Sequence, residues 1–119
     1  MPDERLDEQL LRAELLLSLQ GALLGVVPAS LRAVTCDWAE TRATLRYIFD
    51  GPVDPDDADA MKAVGAEVSA DFRGTVALDE QIVRADHPAG LARHFLRAWA
   101  YMRKEGPTED TRPRLAGAG

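Results

Sequence analysis

The chain has 119 residues, with 20 acidic and 14 basic side chains and a formal net charge of −6. This length fits one domain with a single core, and a hydrophobic content of 46% is too high for a disordered protein. The acidity argues against nucleic acid as a partner, because nucleic-acid binders usually carry a basic face.

The cellular compartment is predicted from the cysteine count and the apolar runs. Cys36 is the only cysteine, which excludes an internal disulfide, and its apolar surroundings indicate a core residue. The acidic opening residues differ from a secretory signal, and no apolar run approaches the roughly 20 residues of a membrane span. We therefore expect a cytoplasmic protein without membrane contacts.

The first half of the chain predicts one helix and a β-hairpin. Leucines at helical spacing predict a helix over 3–24, with Asp3 as its N-cap and Gly25 at its end. Its apolar face is wide, which fits either a helix lying flat on a sheet or one that also contacts a second chain. Runs rich in β-branched and aromatic residues predict strands over 31–38 and 43–49.

The second half predicts a helix, a strand and a last segment that the pattern leaves open between helix and strand. Asp54 caps a second helix that begins at Pro55 and ends before Gly74. Residues 75–85 have the alternation of a strand. Residues 89–105 fit a helix and a strand equally well by periodicity. Residues 106–119 are polar and rich in proline and glycine, which predicts a flexible tail after a single domain over 1–105.

An acidic cluster surrounds the start of the second helix, at Asp50, Asp54, Asp56, Asp57 and Asp59. It fails as a calcium-binding EF-hand loop, because the required glycine and final glutamate are missing. Acids in a first turn favour the positive end of the helix dipole, and this explains most of the cluster. A negative interaction surface is the alternative interpretation.

No pattern of residues indicates a catalytic, metal-binding or phosphate-binding site. His87 and His94 are the only histidines, and no spacing of zinc ligands or phosphate-binding glycine loop occurs. We expect no metal, no cofactor and no enzymatic activity. A catalyst of unfamiliar type that uses Asp and His side chains stays as a lesser alternative.

The last strand offers a second candidate surface. If Ala98 and Ala100 face the helices, then Arg97, Trp99 and Tyr101 lie together on the opposite face, which an α+β sheet with helices on one side leaves open. Arg32, Trp38 and Arg46 would join it. Tryptophan, tyrosine and arginine are enriched where proteins bind each other.

A resemblance over residues 15–105 is carried by LLLSLQGALLGVVPASLRAV, LRYIFDGPVDPDDADAM, EVSADF, EQIVRADHP and RAWAYMRKE. These segments look like a family of small bacterial proteins, some of whose relatives are similar to the immunity proteins of contact-dependent growth inhibition and related toxin systems. The resemblance implies that residues 89–105 form a strand rich in aromatic and basic residues. It also implies a non-enzymatic protein that binds and blocks the toxin of a neighbouring gene.

Together these observations predict a two-layer α+β sandwich of order αββαββ, with an antiparallel four-stranded sheet and both helices on one face. The predicted function is an immunity-type inhibitor that binds a cognate toxin, as a monomer or homodimer. The predicted partner-binding residues are Asp54, Asp56, Asp57, Asp59, Arg97, Trp99 and Tyr101. The alternative is a self-associating structural or regulatory subunit that uses its leucine-rich first helix.

Overall fold

The computed structural model describes residues 4–111, with side chains from Asp7 onward. Helix α1 spans Glu4–Leu23 and buries Leu15 and Leu19 completely. Gly25 follows with a φ of +79°, a left-handed conformation that glycine adopts without steric cost. The predicted helix is confirmed over its described part, and its predicted cap, Asp3, lies outside the described residues.

The two predicted strands form a hairpin, as expected. Strand β1 covers Leu31–Ala39 and pairs antiparallel with β2, Arg42–Phe49. Leu45, Tyr47 and Phe49 belong to the main core. The alternation predicted for β2 is therefore confirmed.

Helix α2 spans Pro55–Asp71 and begins as predicted. The Asp54 carboxylate accepts a 2.8 Å hydrogen bond from the backbone N–H of Asp56, and Pro55 is at the start of the helix. An N-cap of this kind is worth about 0.5–2 kcal/mol relative to alanine. The buried residues of the helix are Met61, Val64, Gly65 and Val68.

Strand β3, Ala77–Arg84, runs parallel to β2, with Arg42 opposite Ala77 and Phe49 opposite Arg84. The predicted fold, an antiparallel αββαββ sheet, is therefore wrong, because the sheet is mixed. The cause is the connection between the strands. Helix α2 returns the chain to the level at which β2 began, so the next strand runs in the direction of β2.

Strand β4, Ala98–Met102, pairs antiparallel with β1 and completes a sheet of order β3-β2-β1-β4. The chain between β3 and β4 must therefore cross from one edge of the sheet to the other. This crossing segment, residues 85–97, contains a cis peptide bond at His87–Pro88 and a short 3₁₀ helix at Ala92–His94. The strand predicted within 89–105 is confirmed only over Ala98–Met102.

The main core lies between both helices and one face of the sheet. A fully buried large aliphatic side chain contributes about 1.5–3 kcal/mol relative to an exposed one. Cys36 is fully buried there, as predicted. The large, fully buried side chains of this core are Leu15, Leu19, Leu31, Val34, Leu45, Tyr47, Phe49, Met61, Val64 and Val68.

A smaller core lies on the opposite face of the sheet, beneath the crossing segment. It consists of Ala33, Ile48, Ala85 and Leu91, with Trp99 packed against it. Thr35 is also fully buried, and its hydroxyl donates to the carbonyl of Ala98 at 2.8 Å. The prediction of an open face is thus wrong for the centre of the sheet, since the crossing segment covers it.

Arg32, also predicted on the open face, is fully buried at one end of the sheet. Its guanidinium donates to the carbonyls of Ala85 at 2.7 Å and Ala89 at 2.9 Å, and pairs with Glu105 at 2.7 Å. Arg103 pairs with the same carboxylate at 3.0 Å. This network joins β1 and β4 to the crossing segment.

Residues 106–111 also contact the crossing segment. The Asp110 carboxylate accepts hydrogen bonds from the backbone N–H groups of Leu91 at 2.6 Å and Ala92 at 2.8 Å. The division into a domain over 1–105 and a tail over 106–119 stays a prediction, and residues 112–119 lie outside the described part. Within residues 4–111, no helix has the length and apolarity needed to cross a membrane.

Candidate functional site

The acids at the start of α2 lie at the surface. Asp54, Asp56 and Asp59 are exposed and Asp57 is half-buried. None of Asp54, Asp56 and Asp57 forms an ion pair with a described side chain, and Asp59 has only Lys62, at 4.0 Å with both side chains about 75% exposed. This group, Asp54, Asp56, Asp57 and Asp59, is called the α2 acidic cluster below. Its negative charge is available to another molecule.

Asp50 has a different role from its neighbours in sequence. Its carboxylate accepts from Arg103 at 2.7 Å and from the backbone N–H of His87 at 3.2 Å. The hydrogen bond from Arg103 holds the pKa of Asp50 below its ordinary value, although partial burial opposes this. Asp50 therefore belongs to the network around Arg32 and not to the α2 acidic cluster.

Arg97 is held at the side of the protein where α1 begins. Its guanidinium lies over the ring of Trp38, 4.3 Å from the ring centre, and donates to the Trp38 carbonyl at 2.9 Å. It also pairs with Glu8 and is 3.9 Å from Asp37. These contacts join β1 and the start of β4 to helix α1.

Trp99 and Tyr101 lie on opposite faces of the sheet. The register between β1 and β4 shifts between Val34 and Thr35, so that Thr35 is opposite Trp99 while Val34 is opposite Tyr101. Such a bulge places two residues of one strand against one residue of its partner and reverses the alternation beyond it. Tyr101 consequently packs against the main core, and Trp99 against the smaller one.

Trp99 forms part of a surface pocket of about 720 Å³ between the crossing segment and the residues after β4. Its ring lies 5.1 Å from that of Phe95, at an angle of 37°. Phe95 and Met102 at this pocket are 42% and 54% exposed. The sequence predicted that Arg97, Trp99 and Tyr101 share one face, but the structure places only Trp99 on this side of the sheet, with Tyr101 on the other and Arg97 beside Trp38.

A second pocket, of about 800 Å³, was not predicted. It lies between the start of α1, the β1–β2 turn and the residues after α2, and is called the hairpin pocket below. Its acidic residues are Asp7, Glu8, Glu14 and Glu40, and its apolar ones include Leu11, Trp38, Phe72 and Val76. The acids of α1 were visible in the sequence, but nothing local connects them to Glu40 or Trp38.

Trp38 has an unusual environment in this pocket. It is only 6% exposed, and its indole N–H is buried without a hydrogen-bond acceptor among the described residues. Leaving a buried donor unpaired costs about 1–3 kcal/mol. Few buried polar groups in proteins lack a partner, so this one requires an explanation.

Among the described residues, neither a metal-binding group nor a reactive cysteine is found. No three His, Cys, Asp or Glu side chains within the described part come together in a group that could hold a metal ion. Burial raises the pKa of the Cys36 thiol to about 11, so the thiol stays protonated and unreactive. The surface features of the described residues that could contact another molecule include the α2 acidic cluster and these two pockets.

A comparison with protein-family models matches residues 12–105 to the MafI2 immunity protein family. The chain belongs to this family. The match confirms the resemblance to immunity proteins of toxin systems that the sequence indicated. It spans β1 to β4 and contains the whole α2 acidic cluster, whereas Asp7 and Glu8 of the hairpin pocket precede it.

Membership of the MafI2 family indicates a role in immunity against a toxin and a protein partner. Immunity proteins are in general not enzymes. A comparison with curated proteins gives no match.

Proposed function

We propose that the chain binds a cognate toxin by direct protein contact and blocks it, with the α2 acidic cluster as the main contact surface. The family match supports the toxin as partner. The observation that carries the choice of surface is the difference between neighbouring acids. Asp50 is paired with Arg103, whereas Asp54, Asp56 and Asp57 have no cation among the described side chains.

Electrostatics supports such a surface physically. A toxin that acts on an anionic substrate carries a basic cleft, and a group of carboxylates on a rigid helix start complements it. Complementary charge also steers the encounter and raises association rates toward about 10⁸–10⁹ M⁻¹s⁻¹ at low salt. Binding of this type weakens as salt screens the charges.

Trp99 is the proposed second contact. Together with Phe95 it offers a partly exposed aromatic surface beside a pocket, and tryptophans in such positions are enriched among binding hot spots. Arg97 and Tyr101 contribute indirectly in this proposal, because their side chains contact Trp38 and the main core. Replacing Trp99 by alanine is expected to weaken toxin binding more than replacing Tyr101 by phenylalanine.

The test of the main surface is a triple neutralisation, Asp56→Asn, Asp57→Asn and Asp59→Asn. Asp54 stays in place because it caps α2. Calorimetry with the cognate toxin should show at least about tenfold weaker binding, or about 1.4 kcal/mol. The affinity should also become less dependent on salt.

The matched control neutralises three exposed acids elsewhere: Glu67→Gln, Asp79→Asn and Glu109→Gln. It changes the net charge by the same amount and should leave the affinity within about twofold, since distant charges are screened. Equal weakening by both variants would mean that only net charge matters. Unchanged affinity of the first variant would remove the α2 acidic cluster from the mechanism.

Self-association is a second candidate function, and one observation favours it. Leu10 and Leu17 lie seven residues apart on α1 and are 55% and 74% exposed, and Leu24, directly after the end of the helix, is 79% exposed. Leucines at this spacing form the contact stripe of paired helices. Sedimentation at high concentration tests the idea, because a monomer of 13.0 kDa would exclude it.

A further inference from the structure

Strand β3 forms an open edge of the sheet. In the order β3-β2-β1-β4 it pairs with β2, and among residues 4–111 no strand, helix or side chain binds the backbone on its other side. Its eight residues contain no proline and no bulge, two devices that often protect such an edge. The edge is therefore a template for one further strand.

The hydrogen bonds of β3 identify which of its backbone groups face outward. Ala77 donates its N–H to the carbonyl of Thr41 at 2.7 Å, and Ala85 donates to that of Phe49 at 2.9 Å. The register between these two bonds is unbroken, so every second residue of β3 bonds to β2 and the residues between point their N–H and C=O groups away from it. The outward-facing residues are Leu78, Glu80, Ile82 and Arg84.

Three of these residues suit pairing with a second copy of the chain. Ile82 is 41% exposed and lies between Glu80 and Arg84 in the outward-facing row. If the second copy runs antiparallel with Ile82 on the two-fold axis, Glu80 lies opposite Arg84 of the second copy, and the same pair repeats on the other side of the axis. Opposite charges directly across an antiparallel pair stabilise it, whereas like charges destabilise it.

Both charged side chains have atoms left for this contact. The Glu80 carboxylate accepts from Tyr47 through Oε2, and Arg84 donates to Asp86 through Nε and Nη2. Within the described part of the chain, Oε1 of Glu80 and Nη1 of Arg84 have no hydrogen-bond partner. The contact between copies therefore forms without breaking either existing one.

Neighbouring two-fold registers lack this complementarity. An axis on Glu80 would place its carboxylate opposite itself, and an axis on Val83 would place Glu80 opposite Asp86. An axis on Gln81 forms no charge pair, because Glu80 then lies opposite Ile82. Charged residues commonly discourage edge pairing, and here they favour one register of it.

We propose that two copies of the chain pair through their β3 edges and form one continuous sheet with four strands from each copy. The N–H groups of Glu80, Ile82 and Arg84 in each copy donate to carbonyls of the other. The pairing closes as a two-fold dimer, so no third copy adds at this edge. The proposal does not depend on the toxin, and its surface differs from the exposed leucines of α1.

The first experiment measures amide exchange by NMR as the protein concentration is raised. Exchange at Glu80, Ile82 and Arg84 should slow at least about fivefold once most of the protein is dimeric, because it then requires dissociation. The N–H groups of Gln81 and Val83 bond to β2 and should exchange at the same rate at every concentration. Exchange of the outward-facing groups that does not depend on concentration would overturn the proposal.

Two exposed apolar residues give a matched pair of variants. Ile82→Lys places two like charges on the axis and should weaken dimerisation at least about tenfold in sedimentation experiments. Leu17→Lys adds the same charge to α1, where the side chain is 74% exposed, and should leave the dimer unchanged. Urea denaturation establishes that each variant is folded.

Arg84 provides a second, independent pair of variants. Arg84→Glu places like charges opposite each other at Glu80 and should weaken the dimer more than Arg84→Gln, which only removes the attraction. Both variants lose the contact with Asp86, so the difference between them reports the second copy. This pair keeps the test valid if Ile82→Lys does not fold.

The outcomes separate this edge from other interfaces. A monomer at every concentration would overturn the proposal. A dimer lost with Leu17→Lys and kept with Ile82→Lys would also overturn it and assign the interface to α1. Equal dimerisation of Arg84→Glu and Arg84→Gln would overturn the register centred on Ile82.

Discussion

The hydroxyl of Tyr47 donates a 2.9 Å hydrogen bond to the carboxylate of Glu80, and that carboxylate occupies the space that a side chain on Gly65 would need. Tyr47 is fully buried, and burial together with the nearby Glu80 raises the pKa of its hydroxyl. Burial likewise raises the pKa of Glu80. A side chain on Gly65 would therefore have to displace the Glu80 carboxylate from its place between α2 and β3.

Replacing Gly65 by alanine is expected to destabilise the protein. Alanine is about 1 kcal/mol better than glycine within a helix, but its methyl group would displace the Glu80 carboxylate and leave the Tyr47 hydroxyl without its acceptor. An unpaired buried hydroxyl costs about 1–3 kcal/mol. Urea denaturation should therefore show a lower free energy of unfolding for Gly65→Ala.

The control removes the Glu80 carboxylate, and the effect of Gly65→Ala on the free energy of unfolding should then change sign. In a Glu80→Ala background the space above Gly65 is empty, so Gly65→Ala should stabilise by up to about 1 kcal/mol through helix propensity alone. A destabilising effect of similar size in both backgrounds would show that the carboxylate is not the cause.

Glu105→Ala is expected to be among the most destabilising single substitutions at a partly exposed site. The change leaves the buried guanidinium of Arg32 with two carbonyl partners and no counter-charge. Removing one partner of a buried ion pair costs about 3–5 kcal/mol. The exposed Glu109, four residues later, is the control, and Glu109→Ala should change the free energy of unfolding by less than about 0.5 kcal/mol.

Features that depend on residues close together in the chain were predictable from the sequence, whereas features that depend on distant segments were not. The start of α2 was predictable because an Asp-Pro pair and the acids after it act within one helical turn. The direction of β3 was not predictable, because the residue pattern of a strand is the same whether the strand pairs parallel or antiparallel to its neighbour. Nor was the bulge opposite Val34 and Thr35, which separates Trp99 from Tyr101. The hairpin pocket depends on three distant segments and has no signal within any one of them.

The free energy of unfolding should decrease in acid as the Asp86 carboxylate becomes protonated. Two hydrogen bonds from Arg84, at 3.0 Å each, and one from the backbone N–H of Gly51 at 2.7 Å lower the pKa of Asp86 to about 2. Because the folded pKa lies below the unfolded value of about 3.9, the contribution is complete above that value and is lost as the pH falls toward 2.

The measurement is the difference in free energy of unfolding between the native protein and Asp86→Asn at a series of pH values. This difference should be constant near neutral pH and shrink between about pH 5 and pH 2. A difference that stays constant to the lowest pH would contradict the role of Asp86.

Cys36 should react with a thiol reagent only after unfolding. It is fully buried, and burial followed by the nearby Asp37 raises its pKa to about 11, so little thiolate forms at neutral pH. Its rate of labelling by a disulfide reagent should rise along the urea unfolding transition. Rapid labelling of the folded protein would contradict a sealed core around β1.

The central claim is that the protein blocks a toxin by occupying it. The most direct measurement titrates the activity of the proposed cognate toxin with the purified protein, and then separates the two at high salt. We predict that activity is lost at one equivalent and that the recovered toxin is intact and active. Inactivation by far less than one equivalent, or a toxin that stays inactive and chemically altered after separation, would contradict inhibition by binding and point to catalysis instead.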